Sequence, residues 1–114
     1  MSRQAISLLT LTLGLTGTVV ANRFVAGDGT QTGAAGNAIG VARTAGVSGD
    51  NIPVDAIGTA VVEAGAAISA NALVEADASG RAVTKSAGVT LGRLAPGQSA
   101  SAAGQFVEVI LIQN

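Results

Sequence analysis

The chain has 114 residues, of which 48% are hydrophobic and 11% charged, with six Lys plus Arg against seven Asp plus Glu and neither Cys nor His. That length fits one domain, and a charged share so far below the usual figure of about 25% leads us to expect that something covers part of the surface. Isolated basic residues exclude a stripe for a phosphate backbone, the lack of Trp and Tyr excludes a stacking platform for bases, and the lack of Cys excludes disulfides and thiolate metal sites.

Arg3 and the apolar run ending in Val19, Val20 and Ala21 have the outline of an export signal with a small-residue cleavage site. The order within the run points elsewhere: Leu9, Leu11, Leu13 and Leu15 alternate with Thr10, Thr12 and Gly14, which is the period of a half-buried strand rather than of a signal helix. The segment is also too polar for a membrane span. A strand is therefore predicted from residue 9, preceded by an extended arm over residues 1–8. A cleaved signal on an exported or cell-surface β-domain is the competing reading.

Further along, residues 23–26 predict a short strand closed by Gly27, Asp28 and Gly29, where Asp-Gly suits a turn with positive φ. Residues 30–37 read as a loop, 38–43 as a strand and 44–51 as a Gly/Ser loop. Residues 52–63 form a long extended run bent at Pro53 and Gly58. Two strands, 73–75 and 81–84, flank the hairpin loop Asp77, Ala78, Ser79 and Gly80. A strand over 89–94 and a small-residue loop over 95–104 lead to the last strand, 105–112. Its nearly continuous apolar character predicts burial on both faces or cover by a partner. The Ala-rich stretch 60–78 is not read as helix, since Gly65 interrupts it and Ile68, Leu73 and Val74 make no stripe of period 3.6.

The two halves also resemble each other. Ala21, Asn22 and Val25 are echoed by Ala70, Asn71 and Val74 at an offset of 49, and Asp28 by Asp77 at the same offset. Ile39-Gly40-Val41 is answered by Leu91-Gly92-Arg93 at 52, and residues 49–54 by residues 104–109 at 55. The offset grows only through loops. Two copies are too few for a repeat array, so the expected fold is one all-β domain over residues 9–114, a small barrel-like or sandwich body with approximate internal duplication, the pseudo-repeats covering about 9–62 and 63–112.

Chemistry is scarce. Without His or Cys the usual bases, nucleophile pairs and metal clusters are lacking, and no enzymatic activity and no cofactor are expected. Glu75 and Asp77 stand two residues apart, but the alternating Asp ligands of a calcium loop are missing, so a hairpin rim with Arg81 across the turn is the simpler reading. Lys85, the single lysine, reads as a surface charge, and the glycines of 27–40 as turn geometry without a phosphate-loop pattern.

Taken in order, Ala21 to Val25, Ala38 to Ala42, Gly49-Asp50, Ile52-Pro53-Val54, Gly58-Thr59-Ala60, Val74 to Asp77, Gly80 to Val83 and Gly104 to Leu111 resemble the capsid cement, or head decoration, proteins of tailed bacteriophages. The resemblance lies in a rhythm of glycines and short strands over nearly the whole chain. It implies a structural virion protein on the outside of a capsid shell, made in the host cytoplasm. The implied partners are the phage major capsid protein and further copies of the chain, a trimer being favoured over a dimer. Neither nucleic acid nor membrane is an expected partner. Ser2, Arg3, Gln4, Ala5, Ile6 and Leu8 of the arm are the candidate capsid or subunit contacts.

Overall fold

A computed structural model of the chain describes residues 5–113. Among them are eight strands and no helix: β1 (Ser7–Gly14), β2 (Phe24–Val25), β3 (Gly40–Ala42), β4 (Asn51–Glu63), β5 (Leu73–Ala76), β6 (Ala82–Thr84), β7 (Gly92–Leu94) and β8 (Phe106–Leu111). Every ladder is antiparallel, in the order β2-β3-β4-β8-β7-β5-β6 with β1 also on β4, giving the expected all-β body, a nearly closed barrel-like sheet.

Strand β4 organises the rest. Its even-numbered residues Ile52, Val54, Ala56, Ala60 and Val62 are buried on one side, as period two demands. Strand β1 runs along its first half, from Thr10↔Asp55 to Gly14↔Asn51. Strand β8 runs along its second half, from Thr59↔Ile110 to Glu63↔Phe106. These are one ladder built twice, at the offsets 49 and 55 read from the sequence. Likewise Val25↔Gly40 is answered by Val74↔Gly92, and Ala42↔Val54 by Leu94↔Val109.

The loops repeat too. The Leu15 amide donates to the Asp50 carbonyl and that of Ala64 to Gln105, while Val19 pairs with Gly46 as Ile68 pairs with Ala100. Asn22 and Asn71 share a φ of 64°, a left-handed conformation that asparagine tolerates better than most residues.

Two details depart from the sequence reading. The hairpin turn in which Gly29 donates to Ala26 and Ala26 to Thr30 matches the one in which Gly80 donates to Asp77 and Asp77 to Arg81. Asp28 is thus the counterpart of Ser79, and Asp77 of Ala26, because β5 is two residues longer than β2. The pairing of the aspartates at 49 is a coincidence of sequence. The division between copies also falls inside β4 rather than near residue 62, since residues 59–63 are the counterpart of residues 10–14. One strand closes the first copy and opens the second.

The core has two parts. Leu15, Val19, Val25, Ala42, Ile52 and Val54 pack in the first half. Their counterparts Ala64, Ile68, Val74, Leu94, Val107 and Val109 pack in the second, joined there by Phe24 and Val41 from the first. Strands β2 and β3 are therefore buried on both faces and join the halves. Leu15 and Val19, which lie in the stretch with the outline of an export signal, are 3% and 1% exposed, so that stretch is part of the packed body.

Of the expected arm, Ser2, Arg3 and Gln4 lie outside the described residues. Ala5 is exposed and precedes β1. Ile6, Ser7 and Leu8 are attached to the body rather than free of it. Ile6 accepts from the Thr59 amide at 2.9 Å and donates to the Thr59 hydroxyl at 2.9 Å, and Ser7 and Leu8 belong to β1. Gly58 makes this possible: its φ is +110°, and a Cβ there would collide with the Ile6 carbonyl oxygen and lie 2.9 Å from the Leu8 amide. Gly58→Ala is therefore expected to lower the unfolding free energy by about 3 kcal/mol, strain and collision together. Gly104→Ala, at φ +90° in open space, should cost only about 1–2 kcal/mol. Urea midpoints of the two variants measured side by side check the ranking.

Candidate functional site

The exposed apolar residues cluster where β1 begins and β8 ends. Ile6, Leu8, Ile57, Ile110 and Leu111 line a shallow groove of about 410 Å³ whose floor is Gly58 and Thr59. Leu8 is 76% exposed and Ile6 53%. The register of β1 slips on both sides of Leu9, a bulged geometry that re-aims side chains at a sheet edge. Phe106 and Ile112, also exposed, lie along and just past β8. In the middle of that strand Val107, Glu108 and Val109 are buried, so the last strand is covered on both faces only at its centre.

Comparison of the two halves separates what the fold requires from what it merely carries. Phe106 and Ile110 take the positions of Asn51 and Asp55 in the first half. Asp55 is buried, held by Arg43 Nε at 2.8 and 3.0 Å and by the Thr10 hydroxyl at 3.1 Å. The same strand position therefore accepts a satisfied carboxylate in one half, and the other half presents an exposed isoleucine. A second contrast lies at the loop tips, where Val20 and Val47 are exposed beside the Val19–Gly46 bridge, and the matching bridge Ile68–Ala100 is followed by Ser69 and Ser101. Neither apolar site is imposed by the architecture.

Strand β1 adds an edge. Among the described residues it pairs with β4 alone, and it carries no charge or proline along Ser7–Gly14 and is exposed or half-buried throughout. Native edges are usually blunted by charge or proline; this one keeps only its bulge.

The polar groups are engaged in structure. Glu63 receives Arg23 at 3.2 Å and Arg81 at 3.7 Å, and Arg81 reaches Asp77 at 3.2 Å. The cluster ties β2 to the second-half hairpin, where Arg23 also donates to the Ser79 carbonyl at 3.3 Å. Asp77 accepts from the Ser79 and Arg81 amides at 2.8 and 2.9 Å, and Glu75 from the Ser86 and Gly88 amides at 2.6 and 2.9 Å. The acidic pair considered as a cation site thus caps two separate loops, and no group of three His, Cys, Asp or Glu suited to a metal occurs among the described residues. Lys85 donates to the Ser86 carbonyl at 2.8 Å.

A basin of about 520 Å³ lies beside Asp28, Asn37 and Gln113, each of which spends one polar atom on the fold. Asp28 binds Thr30, Asn37 the Ala38 amide, and Gln113 the carbonyls of Ile39 and Ala56. The surface features not used by the fold are the apolar groove and the uncharged edge of β1.

Of the groove residues, the sequence reading offered Ile6 and Leu8 as candidate contacts and Ile110 as part of a strand open to cover by a partner, and it did not single out Ile57 or the tip residue Val47. The signal was present in the repeat itself, since Asn51 aligns with Phe106 in the match of residues 49–54 to 104–109. A polar residue answered by a large apolar one on the same strand marks a surface the fold does not explain.

A sequence model described as phage cement protein matches residues 3–111. Among solved structures, the N base of head fiber gp8.5 from bacteriophage phi29 has a similar fold, with a TM-score of 0.73 at 20% identity over 91% of this chain and 93% of that one. No curated protein matches the chain in sequence.

The Glu75 cap sets a pH dependence. The Ser86 amide first, then that of Gly88, with Lys85 adding a smaller attraction, hold its carboxyl below the ordinary glutamate value against a smaller opposing effect of burial. A lowered folded-state pKa means stabilisation that is complete above the unfolded pKa and is lost as pH falls through the folded one. Wild type should thus lose stability from about pH 5 downward, and Glu75→Gln, which cannot ionise, should show a flatter decline. Thermal midpoints between neutral and acid pH for both proteins measure the difference in slope.

Proposed function

We propose that this chain, which belongs to the phage cement protein family, binds the outer surface of a phage capsid and stabilises the contacts between capsomers of the major capsid protein. The observation that carries the reading is the exposed groove of Ile6, Leu8, Ile57 and Ile110 beside the uncharged edge of β1. A structural clamp needs a rigid body, apolar surface that becomes covered on docking, and backbone able to add to a neighbour's sheet. The chain has these, and the base of a phage head fiber shares its fold. The role is structural rather than catalytic, needs no cofactor, and places the protein on the capsid exterior after synthesis in the host cytoplasm.

The same features favour self-association, with a trimer as the favoured state. Low charge and exposed aliphatic side chains leave a lone copy with area that a neighbour or the shell would remove from water. Ser2, Arg3 and Gln4 precede the groove in the chain, and together with Ala5, Ile6 and Leu8 they make up the proposed contact segment. Because Ile6 is bonded to Thr59, deleting the segment would disturb the body. Point substitutions give the cleaner test.

The double variant Leu8→Ser, Ile110→Ser is expected to bind undecorated shells at least about tenfold more weakly, which requires a loss of only about 1.4 kcal/mol per site. Its own unfolding midpoint should stay near wild type, since exposed positions contribute little to the fold. Occupancy of shells after pelleting and shell survival on heating provide the readout, with sedimentation reporting self-association. Equal occupancy and protection by both proteins would reject the groove as the contact. If Val20→Ser, Val47→Ser then lost binding, the contact would lie at the first-half tip.

A further inference from the structure

In the turn of the first half the exposed Asp28 is followed by the buried Gly29, and Asp-Gly is the sequence most open to aspartate isomerisation because glycine leaves the attacking amide unhindered. We propose that Asp28–Gly29 is a latent isomerisation site held shut by Thr30 and by the docking of Gly29 against the end of β1, so that chemical ageing of the protein is controlled at this turn.

In the reaction the Gly29 nitrogen attacks Asp28 Cγ and forms a C–N bond. One carboxyl oxygen leaves as water with the amide proton and the acid proton, closing a succinimide. Water then opens the ring, and opening at the α-carbonyl gives isoaspartate, in which the main chain runs through the side-chain carbons at unchanged mass. The attack needs a free amide, a carboxyl swung toward it and, for an efficient leaving group, a protonated acid.

The turn withholds all three. The Gly29 amide donates to the Ala26 carbonyl at 3.1 Å. Asp28 Oδ1 is tethered to the Thr30 hydroxyl at 2.6 Å and the Thr30 amide at 3.1 Å, which restrains the carboxyl from swinging onto the Gly29 nitrogen. Those two bonds, the hydroxyl first, also lower the Asp28 pKa, which keeps the acid ionised at neutral pH.

Docking adds a steric lock. Gly29 is buried at φ +91°, and a Cβ on it would collide with the Gly14 carbonyl oxygen and lie 2.8 Å from the Thr16 amide. Thr16 donates its amide to the Gly29 carbonyl at 3.1 Å and its hydroxyl to the Asp28 carbonyl at 2.9 Å. An added main-chain carbon at residue 28 cannot keep both bonds, so isomerisation would loosen the chain next to Leu15, a member of the first-half core. The matching second-half turn has Ser79 at the position of Asp28 and lacks this chemistry.

The test compares wild type, Thr30→Val and Thr30→Ser during incubation at neutral and mildly acidic pH and 37 °C, with urea-unfolded wild type as the unprotected reference. Isoaspartate is counted by enzymatic methylation and located by peptide mapping. Expected are slow conversion in folded wild type, faster conversion at residue 28 in the unfolded chain, several-fold acceleration in Thr30→Val, which loses only the hydroxyl bond, and near wild-type behaviour in Thr30→Ser. Circular dichroism establishes that both variants remain folded; a variant that unfolds is replaced by Thr16→Val, which frees the carbonyl of residue 28 and should also accelerate conversion. Equal rates in folded wild type and folded Thr30→Val, or equal rates in folded and unfolded wild type, would overturn the proposal.

Discussion

Both halves of the molecule hang on a single strand. Strand β4 supplies the last ladder of one half and the first of the other, and Gly58 lies between them at a left-handed φ that lets the Ile6 carbonyl approach its Cα. If β4 were two strands joined by a loop, each half would hold a short sheet with an exposed edge and a core of small side chains. Such sheets are marginal alone. Continuity through Gly58 fixes the register of β1 and β8 relative to each other, and brings the start of one and the end of the other to the same groove.

The halves are similar but do not serve each other equally. Phe24 and Val41 turn their side chains into the second-half core, while their counterparts Leu73 and Arg93 are half-buried and exposed. The first half therefore acts as a wall for the second, which holds the larger cluster, and the ion pairs of Glu63 with Arg23 and Arg81 close the same seam. Partly exposed pairs of this kind contribute little each. Packing of Phe24, buried to 1% exposure, holds the seam.

The fold was legible in the sequence because period-two alternation and turn residues act locally. The run of Leu and Thr before Leu15, the long stretch ending at Glu63 and the apolar finish from Phe106 all became strands. The repeat was legible for the same reason, and its errors are instructive. The aspartates at 28 and 77 aligned by letter while hydrogen bonding aligns Asp28 with Ser79, since strand length decides which residue reaches a turn. That Ile6 at the end of the expected arm is bonded to Thr59 was not legible, because no local signal reports that Gly58, some fifty residues away, leaves room for it. The groove was only partly legible: Ile6 and Leu8 stand out as apolar residues near the start of the chain, but Ile57 and Ile110 join them only through pairing across β4.

Duplication also explains how a small chain can hold a fold and a contact surface at once. Each structural demand is met twice, so a position such as 55 or 110 is free to differ once the other copy shows that the backbone does not depend on it. In the first half the position holds Asp55, neutralised by Arg43 and sealed from water; in the second it holds Ile110, which no buried cluster claims. Exposing an aliphatic side chain costs solubility unless it is covered, and a shortage of charge deepens that cost. On the proposed reading that cost is offset, since copies bound side by side on one shell would each be held next to a covering surface, and modest affinity per site becomes lasting attachment when several sites are linked.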